Sequence, residues 1–250
     1  MPSEPLDFSQ RAYLSEWMDE PCSYSDFRDC LRDLERVERI IFAYRPTLRW
    51  LEQFSVTKKD PLHIVDIGCG RGDMLRRIEA WARARGVAVK LTGVDLNPHA
   101  ARAARELSRG TGNIEWVTGD AFSYRPPAQI DIVISCLFTH HLSDAEIVRF
   151  LEWMEGIAAR GWFIDDLHRE RMPYYLFGAL AGMMHWHRFI RHDGLISIRR
   201  SFVRKDWVNY CAESGLNMRD VHVFAARPAR LCVSRVKECN SYRETRNQRR

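Results

Sequence analysis

Four apolar runs constrain this chain more than any other feature. They are LHIVDI at 62–67, VKLTGVDL at 89–96, NIEWVTGD at 113–120 and QIDIVISCLF at 129–138. A strand with one wet face alternates polar and apolar residues, and the first and last of these runs do not. Strands of that kind are covered on both faces. The segments between them carry helical spacing, which predicts a parallel sheet between two layers of helices. RGWFIDDL at 160–167 reads as a fifth strand. DVHVFAA and RLCVSRV follow, separated only by RPA. That link is too short for a crossover, so the pair is predicted as an antiparallel hairpin at a sheet edge. The expected fold is α/β: a doubly wound, mostly parallel seven-stranded sheet with a C-terminal antiparallel hairpin, an N-terminal helical cap and a helical lid insertion.

The helices are signalled by spacing and by caps. Phe27, Leu31, Leu34, Val37, Ile41 and Tyr44 recur at intervals of three and four, which predicts an amphipathic helix over 25–44. Pro46 stops or bends it, and a short helix is expected over 47–54. Helical segments are also expected over 72–85, after Pro98, and over 204–215 with Gly215 closing the last of them. The segment 144–158 has the strongest start signal. Ser143 and Glu146 can form a capping box, and Leu142 and Ile147 a hydrophobic staple. The domain organisation expected is a cap at 1–60, an α/β domain at 61–237 with a lid at 167–200, and a basic tail at 238–250.

Bulk properties remove several classes of function. The chain has 250 residues, 46% of them apolar, and a formal charge of +5. That is enough for one α/β domain with additions. Much of the positive excess lies in SYRETRNQRR at the end, which reads as a solvated tail. The seven cysteines include no C-x-x-C pair, so neither a disulfide framework nor a zinc site is expected, and no metal is assigned. Reduced thiols fit a cytoplasmic protein. The start MPSEPLDFSQ is not a signal peptide, and the most apolar stretch, 173–184, is too short to span a bilayer.

The first apolar run ends in VDIGCGRGD. A dinucleotide fingerprint needs G-x-G-x-x-G and a P-loop needs a following G-K-[ST]. Here Gly68, Gly70 and Gly72 form G-x-G-x-G, Asp73 stands where the third dinucleotide glycine belongs, and no P-loop lysine follows. Charge points the same way. A pyrophosphate favours the bare positive end of a helix, and Asp66 and Asp73 would repel it. Two carboxylates suit a ligand carrying positive charge, such as the sulfonium and ammonium of S-adenosylmethionine.

From here the chain resembles the class I, Rossmann-like S-adenosylmethionine-dependent methyltransferases, over about residues 60–165 and in outline at the final hairpin. The resemblance implies that Asp66, Gly68, Cys69, Gly70 and Gly72 cradle the cofactor. In GVDLNP it implies that Asp95, beside Leu96, grips the ribose hydroxyls. Asp120 and Ala121 of GDAF match the adenine-contacting pair. Ser135 and Cys136 match the fourth-strand motif at the reactive end of the cofactor.

Methyl transfer is an in-line displacement, so alignment supplies much of the acceleration. A base is needed where the attacking atom carries a proton of high pKa. His140 and His141 follow the fourth strand and either pack against the cofactor or move a proton. His168, with Asp166 nearby, can be an oriented base. His185 and His187 read as surface or packing residues. In DDLHR, RHDGLISIRRSF and LRDLERVERI the chain is similar to small-molecule methyltransferases of polyketide and phenolic-lipid pathways. That likeness implies that Asp166, Arg169, His192, Asp193, Ser197 and Arg200 border the acceptor site or hold its lid, with an Asp193–Arg200 ion pair as the plain structural alternative. His168, His140 and His192 are the catalytic candidates. Tyr174, Tyr175, Phe177, Leu180, Met183, Met184 and Trp186 are expected mostly in the core, some lining a pocket for an apolar or aromatic acceptor.

The expected activity is O-methylation of a small or lipid-like, phenolic acceptor. Methylation of RNA or protein is a second reading, motivated by the basic tail, but no N/D-P-P-Y/F motif follows the fourth strand and no nucleic-acid module is visible. A non-catalytic scaffold is a third, and the intact acids and glycines argue against it.

Overall fold

The seven strands of the sheet lie in the order β3-β2-β1-β4-β5-β7-β6. They are β1 (Leu62–Ile67), β2 (Val89–Asp95), β3 (Ile114–Thr118), β4 (Ile130–Cys136), β5 (Ala158–Leu167), β6 (Val221–Ala226) and β7 (Arg230–Val236). This is a computed structural model, and it describes residues 6–40, 42–54, 61–108, 114–184 and 186–237. The basic tail at 238–250 and His185 lie outside the described residues. β1 to β5 run parallel, while β7 pairs antiparallel with both β5 and β6. The edge hairpin is therefore present, with β7 inserted between β5 and β6.

Side-chain parity explains the two helix layers. Leu62 and Ile64 of β1, Ile132 and Ile134 of β4, and Phe163 of β5 face one core. It is closed by α2 (Arg45–Leu51), α3 (Asp73–Arg85) and α4 (Pro98–Leu107). Val65, Ile67, Val133, Trp162 and Ile164 face the other, under α5 (Asp144–Ile157) and α8 (Arg204–Glu213). Ile130 would fall on the first face by parity but packs in the second core, because the β4–β5 register shifts between Ile130 and Ile132. The Ser143–Glu146 capping box forms at the start of α5. Helix α2 starts two residues earlier than the sequence suggests because Pro46 sits in its first turn, where a missing N–H costs nothing.

The cap helix α1 (Tyr24–Ile40) and the lid helices α6 (Arg171–Met183) and α7 (Arg188–Arg200) pack on one another. Cys30 of α1 joins Phe189 and Ile190 of α7 in a third apolar cluster, with Met18, Phe177 and Trp186 against it. Asp33 accepts the His187 N–H at 3.0 Å, and His187 caps α7 through Nδ1 and the Phe189 N–H. Asp193 does not pair with Arg200. Its carboxylate accepts the N–H groups of Trp17 and Met18 at 2.9 and 3.1 Å, which ties the lid to the N-terminal segment. The aromatic and Met-rich helix α6 is less buried than expected. Tyr175 is 60% exposed and Met183 68%, and Leu176, Leu180 and Met184 also face outward. A period of three and four marks an apolar helix face without saying what covers it. Among the described residues no helix is long and apolar enough to cross a membrane.

Candidate active site

Strand order reverses between β1 and β4, and in open α/β sheets the ligand crevice lies beyond the carboxyl ends of the strands at such a point. The turn after β1 lines it. Gly68, Gly70 and Gly72 all have positive φ, at 71°, 51° and 75°. At Gly72 a Cβ would sit 2.0 Å from Trp116 Cη2, so only glycine fits there. A Cβ at Gly70 would meet only Leu31 Cδ1 of the cap helix, at 3.7 Å. The glycine loop thus presents bare backbone to a space roofed by α1.

Carboxylates dominate this space. Asp66 is buried, and its Oδ1 has no hydrogen-bond partner. Burial pushes its carboxyl well above the usual range, and Asp73 and Asp95 add to the rise. Asp95 accepts the Gly70 N–H at 2.8 Å through Oδ2 and the Asn97 N–H at 2.9 Å through Oδ1. Each oxygen keeps a further lone pair for a ligand hydroxyl. From the cap, Glu38 reaches Arg230 at 3.7 Å, and burial with Asp73 beside it pushes the Glu38 carboxyl up. An orphaned buried carboxylate oxygen amid like charges fits a cationic ligand and disfavours a phosphate.

Other expected cofactor contacts are placed as follows. Cys69 is buried, with Sγ 3.8 Å from the Gly70 carbonyl. Leu96 is 72% exposed at the mouth. Asp120 Oδ1 accepts the Phe122 N–H at 3.3 Å, and Ala121 is buried. Ser135 turns its hydroxyl to the Ile67 carbonyl at 3.1 Å, tying β4 to β1, and Cys136 Sγ lies 3.7 Å from Thr47 Oγ1. Both side chains thus have partners within the protein.

The three histidine candidates sit in different surroundings. His140 and His141 belong to a one-turn 3-10 helix, Thr139–His141, directly beyond β4. His140 is 3% exposed, and its Nδ1 meets Asp166 Oδ1 at 2.7 Å. Asp166 also accepts from Thr139 Oγ1 at 2.5 Å and from the His140 N–H at 3.0 Å. Burial alone would raise the Asp166 carboxyl, but His140 and these donors hold it well below its usual value. Asp166 therefore orients His140 and not His168. His168 Nδ1 pairs instead with the half-exposed Glu170 at 3.0 Å. His192 bonds Asp193 at 2.7 Å and stacks on Trp17, with ring centroids 3.9 Å apart. Arg169 is buried and binds the carbonyls of Phe8 and Ser201, so it fastens the N-terminal segment.

Glu16 was not legible as a site residue. It is 4% exposed, accepts from Ser197 Oγ at 2.9 Å, and lies 3.9 Å from His140 Nε2 and 4.0 Å from His141 Nε2. Arg200 stands beside it at 3.5 Å and binds Asp19 at 2.7 Å. A cleft of about 260 Å³ opens next to these groups, bordered by Arg11, Tyr13, Asp19, His140, His141 and Arg200. Its lining mixes polar and apolar groups and includes no residue of α6.

Comparison with known proteins assigns the domain. Residues 64–161 match the family described as "Methyltransferase domain". Over these residues, less than half of the chain, the protein is similar to that family. The chain is 26% identical over 227 residues to a ubiquinone biosynthesis O-methyltransferase of Leptothrix cholodnii, covering 87% of this chain and 84% of that protein. It is 31% identical over 121 residues to a trans-aconitate 2-methyltransferase of Streptomyces avermitilis, covering 47% of this chain and 43% of the relative, so here it spans less than half the relative's length. Among solved structures, the plantazolicin methyltransferase BpumL, crystallised with a monoazolic desmethylPZN analog and SAH, has a TM-score of 0.61 at 17% identity. That overlap covers 86% of this chain and 89% of BpumL, and establishes likeness of fold. The matched residues carry the glycine turn, Asp66, Asp95 and His140, while the cap and the lid helices lie outside them.

Proposed function

We propose that this chain is an S-adenosylmethionine-dependent methyltransferase acting on a hydroxyl, phenolic in the leading case, of a small acceptor molecule. The observation that carries the reading is the cluster of Asp66, Asp73 and Asp95 around a glycine turn, with an unpartnered buried oxygen on Asp66. When bound, the cofactor supplies a methyl group on an electrophilic sulfonium carbon. Asp95 is placed to hold ribose hydroxyls, and Asp66 and Asp73 to face the positive end. α1 closes over the glycine turn through Leu31 and helps exclude water. At the mouth, Glu16, His140 and His141 present polar groups to the acceptor hydroxyl. In support, the Leptothrix relative is named an O-methyltransferase.

The test is incubation of the purified chain with methyl-labelled cofactor and a panel of phenols, aliphatic alcohols and carboxylic acids, with bulk RNA and protein as controls. Label in a phenol is expected. Label only in the macromolecules would refute the proposal.

Two further outcomes follow from the same geometry. Asp95→Ala should weaken cofactor binding by about 1–3 kcal/mol, the usual worth of hydrogen bonds to a charged group. Unchanged affinity by calorimetry would mean that Asp95 does not hold the ribose. Binding should also be linked to proton release. A cation beside Asp66 favours its ionised form, whereas burial in the free protein favours the protonated one. Affinity should therefore rise with pH through the range where free Asp66 titrates. Calorimetry in two buffers of different ionisation heat reads the proton count directly, and no released proton would contradict it.

A further inference from the structure

We infer that Glu16, His140 and His141 form a binding site for one first-row divalent cation of the zinc type. The inference deepens the proposed function, on which it rests for its role in the reaction but not for the binding itself.

The argument starts from which ring nitrogens are committed. His140 Nδ1 bonds Asp166 at 2.7 Å, and His141 Nδ1 bonds Asp19 Oδ1 at 2.8 Å. A carboxylate partner places the ring proton on Nδ1 and leaves the Nε2 lone pair free. This is the arrangement by which metal-ligating histidines are usually oriented and made more basic. Here it occurs twice, on adjacent residues, with ring centroids 4.3 Å apart.

Both free nitrogens face one carboxylate. The Glu16 oxygens lie 3.9 and 4.0 Å from them, too far for a hydrogen bond. One ligand atom from each of the three residues lies within 4.8 Å of the others. Ligands about 2.0–2.2 Å from a zinc ion stand roughly 3.3–4.2 Å apart, depending on the angle. The gap is thus one that a cation spans and a direct hydrogen bond does not. Ser197 Oγ, at 2.9 Å, fixes the Glu16 carboxylate from behind.

Charge supports a dication. Glu16, Asp19 and Asp166 face the cluster, and Arg200 is the cation among them, pairing with Asp19 at 2.7 Å. The neighbouring Arg11 is matched by Asp144 at 2.6 Å. With both imidazoles neutral, as a metal requires, three ionised carboxylates against one guanidinium leave two negative charges. Two imidazoles and a carboxylate form a donor set suited to zinc and its neighbours rather than to magnesium. Three protein ligands leave a fourth position, and the cluster borders the cleft. An acceptor hydroxyl can complete the site there with its acidity raised, its proton passing to solvent in the cleft.

The test uses the untagged, chelator-stripped full chain, titrated calorimetrically with zinc chloride alone and with magnesium chloride alone. One equivalent of zinc is expected to bind, with magnesium far weaker. His141→Gln, at the least buried of the three positions, should weaken zinc binding at least tenfold, and Glu16→Gln likewise if it folds. His168→Ala should leave zinc affinity unchanged. Cobalt substitution should give visible absorption bands that His141→Gln abolishes. No saturable zinc binding, or equal binding by His141→Gln, would overturn the site. Unaltered methyl transfer after stripping would overturn its role while leaving the methyltransferase reading intact. Zinc binding without transfer to any small acceptor would leave the site standing and overturn the proposed function.

Discussion

Gly72→Ala should cost about 2–5 kcal/mol of stability and abolish cofactor binding. Two costs add. An L-residue held at φ 75° pays about 1–2 kcal/mol for the left-handed conformation. A Cβ 2.0 Å from Trp116 Cη2 adds the overpacking cost of about 1–3 kcal/mol. Trp116 has little room to withdraw, because its ring also lies 2.6 Å from where a Cβ on Gly93 would be. For a chain of this size the melting temperature should fall by about 4–20 °C. Thermal unfolding measures the first effect and calorimetry with S-adenosylhomocysteine the second. A variant as stable as the parent would mean that Trp116 is not wedged between Gly72 and Gly93.

Asp166→Ala should be at least as damaging, by a different route. The carboxylate satisfies Thr139 Oγ1, His140 Nδ1 and the N–H groups of His140 and Leu167, in a buried setting. Removing one partner of a buried charged network typically costs about 3–5 kcal/mol, because the other groups stay buried without it. The imidazole also loses its fixed tautomer. kcat should fall by about 10²–10⁴-fold, while KM for the cofactor changes little. Asp166→Asn separates the two effects, since the shape remains and the charge does not: it should recover much of the stability and little of the activity. Equal kcat in Asp166→Asn and the parent would remove His140 from the chemistry.

What could be read in advance was whatever short-range chemistry determines. The glycine turn and its aspartates, the capping box at Ser143 and Glu146, and the doubly covered strands β1 and β4 all follow from neighbours in sequence. The final hairpin was legible because a three-residue link allows little else. The missed features depend on distant partners. Glu16 becomes a buried site residue only because the N-terminal segment crosses the 3-10 turn that carries His140 and His141. Asp166 had His168 as its neighbour along the chain, but the turn after β4 brought it His140. Asp193 found backbone N–H groups of Trp17 and Met18 in place of Arg200. For α6 the apolar spacing was right, but a spacing does not say which face is covered.

The whole account depends on a crevice selective for a positively charged nucleoside. Its most direct test is calorimetric titration of the intact chain with S-adenosylmethionine, and separately with NAD and with ATP. The account predicts saturable one-site binding of S-adenosylmethionine, weakened by Asp95→Ala, and none of NAD or ATP. Saturable binding of NAD or ATP without any of S-adenosylmethionine would contradict it.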